Sequence, residues 1–182
     1  MMSKIEVWLY MLSIISILFF TFIYSLLLLI DNKSNSIIKI IAILIMVFTL
    51  YVGINRNTYL PFLGYTVIPP NLFDKEITPS GATDILTLTL NNVPDNTKVI
   101  YWAALSSKDK NIIHTDPMLA YGDYNNTGIT TVKDNRAILY FHCPDRYIVG
   151  PFKKTLNKHV HYRLVKPNNP MISPVYTQYV EC

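Results

Sequence analysis

From Val7 to Ile30 the chain runs without an Asp, Glu, Lys, Arg or His. As an α-helix this stretch reaches about 36 Å, enough to cross a hydrocarbon core of about 30 Å with some tilt. A buried helix of a soluble protein keeps a polar side, but Ile14 to Phe20 and Leu26 to Ile30 leave none. A cleaved signal peptide has an apolar core of about 7–15 residues and a small-residue cleavage site. This run is longer and ends in Leu29-Ile30-Asp31-Asn32-Lys33. The reading is a transmembrane helix over 7–30.

A polar hinge follows at 31–36, and from Ile37 to Ile54 Lys39 is the only charge. Lys39 falls in the first turn, where a long side chain can snorkel to headgroups. So short a hinge predicts an antiparallel hairpin over residues 1–56, with a second crossing at 37–54. Helices in lipid lack a hydrophobic drive to associate, so small residues such as Ser13, Ser16, Ala42 and Gly53 are the expected contacts. Basic residues near the span ends do not orient the pair. The hinge side offers Lys33 and Lys39, and the opposite side Lys4, Arg56 and the amino terminus.

Composition agrees with a membrane segment. The chain is 51% apolar and 15% charged, against about 25% charged in soluble domains. Residues 1–56 carry four basic and two acidic groups, the rest twelve and ten. The second part is too mildly basic for a nucleic-acid partner. Two cysteines rule out a disulfide-framed miniprotein or a Cys-rich zinc module. Cys143 and Cys182 suit one bond or two free thiols.

Residues 57–83 read as a juxtamembrane linker, in which the aromatic stretch Tyr59 to Tyr65 suits either the interface or packing against the following domain. From residue 84 to 182 the apolar period becomes two. Strands are predicted at 84–90, 98–104, 129–133, 136–142, 159–166 and 175–180, with a weaker one at 118–124. Asp134-Asn135 reads as a hairpin turn. So many short strands in about 100 residues indicate a β-sandwich. Leu156 lies six residues before Tyr162 on a late strand, which resembles the tyrosine corner of fibronectin type III domains. Trp102 resembles that family's core Trp. The implied fold is fibronectin type III- or immunoglobulin-like, with a transthyretin-like sandwich as another form.

Three longer segments carry a second resemblance: Ile54 to Gly64, Tyr101-Trp102-Ala103-Ala104, and His159-Val160-His161-Tyr162-Arg163. Together they resemble an uncharacterised membrane-anchored family of large double-stranded DNA viruses, with bacterial relatives. Lys158 stands where that resemblance implies Pro. The resemblance implies a virion or host membrane location and a structural role, tethering the inner membrane to a capsid or other structural protein. It brings no active site and no cofactor.

Two sets of residues are candidates for chemistry or binding. His159 and His161 share one face of a strand, so both imidazoles could bind one metal. His142, Cys143 and His114 are then the soft candidates for further ligands, and Arg163 on the same face would repel a cation. The competing expectation is no metal and a solvent-facing polar stripe. The second set is Arg146, Lys153, Lys154, Lys158, Arg163 and Lys166, six basic residues with no acidic one between them. They suit lipid headgroups or an acidic protein surface, or else an ordinary solvated face. Tyr121, Tyr124 and Tyr147 could line an aromatic groove for sugar or peptide. The expectation is a bilayer-anchored interaction protein without catalysis, the alternative a metal-binding module or enzyme using His159 and His161.

Overall fold

A computed structural model describes residues 4–59, 64, 66–68, 70–107, 112–150 and 153–182. The chain divides into two compact units, residues 1–64 and 65–182. The expected role of Tyr59 to Tyr65 falls largely outside the described residues.

In the first unit, α1 (Lys4–Ile30) and α2 (Ser36–Ile54) are followed by the single turn α3 (Arg56–Tyr59). The hinge doubles as a cap, since the Asn35 side chain accepts from Ile38 N at 2.9 Å and opens α2. Both helices are long and apolar enough to cross a membrane, and only 6% and 11% of their spans are buried within the protein. Ala42, Ser25 and Thr49 are buried. The two hydroxyls are turned onto their own helices, Ser25 Oγ donating to Thr21 O at 2.9 Å and Thr49 Oγ1 to Ile45 O at 2.5 Å. Of the small residues expected at the contact, Ala42 is buried, whereas Ser13 and Gly53 are exposed. Periodicity alone does not say which side of an all-apolar helix meets its neighbour.

The second unit is rich in mostly antiparallel β-structure. Its strands are β1 (Thr66–Val67), β2 (Asp84–Thr89), β3 (Lys98–Ala103), β4 (Ile113–His114), β5 (Thr127–Thr131) and β6 (Arg136–Phe141). They continue as β7 (Arg146–Val149), β8 (Lys154–Leu156), β9 (His159–Val165), β10 (Met171–Ile172) and β11 (Tyr176–Tyr179). A four-stranded sheet has the order β11-β9-β3-β5, β2 pairs with β6, and β4-β7-β8 form a third sheet. Thr66 and Val67 pair with Ile172 and Met171, and Ile77 bridges to Ile129, so parts of 57–83 belong to this unit.

Alternation builds the core. Val99, Tyr101 and Ala103 of β3 share a face with Val160 and Leu164 of β9, and Leu88 of β2 and Ala137, Leu139 and Phe141 of β6 pack against them. Burying such side chains contributes about 1.5–3 kcal/mol each. Three polar links join the layers. The Tyr101 hydroxyl donates to Tyr140 O at 2.8 Å and accepts from Tyr140 N at 3.3 Å. The Asn126 amide donates to Ala104 O and His142 O and accepts from His142 N. A disulfide joins Cys143, just beyond β6, to Cys182, beyond β11. Gly128 faces the Tyr101 ring so closely that a Cβ there would collide with the hydroxyl.

One strand expectation changes. Residues 118–124 are no strand, since α4 (Pro117–Tyr121) forms there. Asp116 caps it by accepting from Met118 N and Leu119 N, Pro117 presets its first φ, and Gly122 closes it at φ 48°. The Asp134-Asn135 turn has φ of 49° and 59° and bridges Lys133 to Arg136. It is the expected hairpin turn, closed by Lys133 N to Arg136 O and Arg136 N to Lys133 O at 2.9 Å each, and beyond it β5 and β6 join different sheets. The tyrosine that turns back to a carbonyl is Tyr101. Trp102 points to the opposite face, against a smaller cluster formed by Ala104, Ala120, Tyr121 and Tyr147.

Candidate metal centre

That opposite face of β3 and β9 is where the polar aromatic residues meet. Trp102 pairs with His161 across β3 and β9, and His161 and His159 pair with Thr177 and Tyr179 of β11. The strand period places all five on one side of the sheet. Leu105, just past β3, positions what covers them. Its N–H donates to Ala120 O at 2.6 Å, and its carbonyl accepts from Asp145 N at 2.8 Å. The first bond holds the end of α4 with Tyr121, the second the start of β7 with Tyr147.

Four donor atoms then follow one another at short range. Tyr121 Oη lies 2.7 Å from Tyr147 Oη. Tyr147 Oη lies 2.9 Å from His159 Nε2, and that nitrogen 3.2 Å from His161 Nε2. The Tyr121 and His161 ring centroids are 6.2 Å apart. Tyr121, Tyr147 and His159 are 7%, 4% and 3% exposed. Three of the four residues are therefore enclosed and His161 is half-buried, so His159 does not face solvent as a polar stripe would require. The i, i+2 spacing shows that they share a face, but it does not show that α4 and β7 cover it.

The hydrogen bonds fix much of the protonation. His159 Nδ1 is 2.5 Å from Asn157 O. A carbonyl only accepts, so Nδ1 carries the proton and Nε2 presents its lone pair to the cluster. Burial lowers the His159 pKa below the usual imidazole value, against the opposing pull of the Asn157 carbonyl, and keeps the ring neutral. His161 Nδ1 is 2.9 Å from the Thr177 hydroxyl. Both rings are thus oriented by a partner on Nδ1, the outer-shell arrangement found behind metal-bound imidazoles. Burial, and then the neighbouring Tyr147, push the Tyr121 phenol well above its usual value.

A tetrahedral ion with bonds of 2.0–2.1 Å separates neighbouring donors by about 3.3 Å. The observed separation of the two Nε2 atoms is close to that edge. The other soft candidates lie elsewhere. Cys143 is in the disulfide, His142 Nε2 contacts Ser80 O at 3.0 Å, and His114 Nε2 contacts the buried Asp145 at 3.3 Å. Among the described residues no three His, Cys, Asp or Glu side chains form a group, and the polar atoms nearest the two Nε2 atoms are the phenols. Arg163 is turned away, its Nη1 donating to Ser173 O at 3.0 Å and Thr66 Oγ1 at 3.3 Å. Partial burial lowers its pKa.

The basic residues sit in different settings. Lys158 Nζ donates to Cys182 O at 2.9 Å, and Lys153, Lys154 and Lys166 are exposed while Arg146 is half-buried. Lys158 and Lys166 flank opposite ends of the seven-residue β9, roughly 26 Å apart along the strand direction. Lys166 borders a shallow cleft of about 310 Å³ with Lys98 and Asp74. Tyr121, Tyr124 and Tyr147 do come together, at 5.5 and 5.4 Å between ring centroids. Only Tyr124, 54% exposed, is open to solvent, so they form a packed cluster and not a groove. No protein-family model and no curated protein matches this sequence.

Proposed function

We propose that the chain is a membrane-anchored module whose β domain holds one transition-metal ion between Tyr121, Tyr147, His159 and His161. The observation that carries this reading is the convergence of two imidazole Nε2 atoms, 3.2 Å apart, each ring already oriented through Nδ1. Imidazoles suit zinc, copper, iron and nickel. Two buried phenols give up their protons only to a strongly Lewis-acidic ion, and two phenolates balance most of the charge of iron(III). Iron(III) is therefore the favoured occupant, and it would supply Lewis acidity and one-electron chemistry at the site. The anchor rests on two helices whose apolar side chains are left outward, such as Phe19, Phe20, Leu44 and Phe48.

The test is metal analysis of the full chain in detergent, with thermal denaturation in iron, copper or zinc. A stoichiometric ion is expected, together with a visible phenolate-to-metal absorption. His161→Ala and Tyr147→Phe should lose both and stay folded. A wild-type protein that takes up none of these ions, and gains no stability from them, would leave the cluster as a structural hydrogen-bond chain.

A second reading, as a docking head on a capsid or other structural protein, is favoured by the outer face of β2 and β6. Ile85 and Tyr140 are register partners there, with Ile138 beside them, and they are 62%, 41% and 45% exposed. Such a contiguous apolar surface suits a protein partner. In this reading the fibronectin-like sandwich acts as an adhesive unit, in a virion membrane as the viral resemblance implies. Cross-linking in the native membrane should capture a neighbour through β2–β6 and lose it in Tyr140→Glu.

A further inference from the structure

The basic residues around the two helices leave the orientation of the hairpin undecided, but the second unit carries a sign of its compartment. The chain has two cysteines, 39 positions apart, and both are used in one bond. That bond ties the end of β6 to the last residue, and with it the strand that backs the cluster. Thr177 of β11 holds His161 Nδ1, and the Tyr179 ring lies 5.8 Å from that of His159. Lys158 clasps the same junction, reaching Cys182 O at 2.9 Å and Cys143 Sγ at 3.2 Å. Structural disulfides form and persist in oxidising compartments, while cytosolic thiols are kept reduced.

We infer that the β domain and both chain ends lie on the oxidising, extracytoplasmic side of the membrane, with the 31–35 hinge on the reducing side. This rests on the membrane reading of α1 and α2. A two-helix hairpin returns the chain to the side on which it began, so one orientation accounts for both ends. Formation of the bond is an oxidation. The Cys143 and Cys182 thiols lose two protons, and two electrons pass to a disulfide-bearing oxidant of that compartment. The near tie of Lys33 and Lys39 against Lys4 and Arg56 offers this orientation little resistance.

The test is translation of the full chain into sealed microsomes, followed by carbonate extraction, external protease and a gel-shifting maleimide. The expected result is a carbonate-resistant chain whose β domain survives protease until detergent opens the vesicle. Its two cysteines should react with the maleimide only after reduction, and Cys143→Ser should leave one cysteine that reacts without reduction. Digestion of the β domain in sealed vesicles overturns the orientation while leaving the anchor intact. Protection with both thiols free overturns the disulfide argument. Release by carbonate overturns the anchor itself, and the orientation with it.

Discussion

The two faces of the sheet β11-β9-β3-β5 come from the same strands and have opposite character. On one, Val99, Tyr101, Ala103, Val160 and Leu164 meet the apolar side of β2 and β6. On the other, Trp102, His159, His161 and Thr177 meet α4 and β7, with imidazoles and phenols where a stability-driven core would hold aliphatic carbon. Enclosing polar rings costs free energy unless each finds a partner. Here each partner is a specific donor or acceptor, so position matters more than volume. The first face tolerates a change of shape poorly. On the second, the chemistry can be removed at modest cost to the fold.

Substitutions should separate the two faces by size of effect. Leu139→Ala, in the dry face, should lower unfolding free energy by about 2–5 kcal/mol, measured on the detergent-held chain by denaturant titration, while the fraction still folded keeps its metal. Cys143→Ser should cost about 2–4 kcal/mol by releasing a constraint on the unfolded chain. It should also speed exchange of the β11 amides. A smaller effect, about 1–2 kcal/mol, is expected for Tyr101→Phe, which removes the two interlayer bonds of the hydroxyl. At the bottom of the scale, Lys154→Ala should stay within about 0.5 kcal/mol, because its side chain is exposed.

Alkaline pH probes the dry face through the same tyrosine. Burial raises the Tyr101 and Tyr162 pKa above their usual value near 10. The folded chain therefore keeps protons that the unfolded chain releases above pH 10. This contribution is whole below that value and is lost as pH rises through the folded-state pKa. Melting curves between pH 8 and about pH 11 should show the loss, smaller in Tyr101→Phe.

The contrast also explains what was legible in the sequence. The charge-free run from Val7 to Ile30 can be little other than a membrane-length helix, and alternation in Asp84–Thr89 and Lys98–Ala103 is enough to place strands with one buried side. Strand spacing likewise puts His159 and His161 together. It does not reveal the cover. α4 owes its shape to Asp116, Pro117 and Gly122, a cap, a first-turn proline and a stop crowded around one short helical stretch, and the apolar spacing within it mimics a strand. Tyr121 and Tyr147 stand far apart in sequence, in segments without a motif, and a neutral phenol is a less obvious ligand than a thiol or a third imidazole. The available signal is a tyrosine on a short strand a little upstream of the His-x-His strand. The six basic residues form a run in sequence, but Lys158 and Lys166 flank opposite ends of β9 and the Arg163 guanidinium is taken up by Ser173 and Thr66.

The proposed metal centre is tested most directly by X-ray absorption, at the edge of the added metal, on the full chain given iron, copper or zinc. The predicted spectrum shows outer-shell scattering from two imidazole rings together with phenolate oxygens, a signal absent from His161→Ala and Tyr147→Phe, which hold no stoichiometric ion. A shell of solvent oxygens unchanged by either substitution would contradict it.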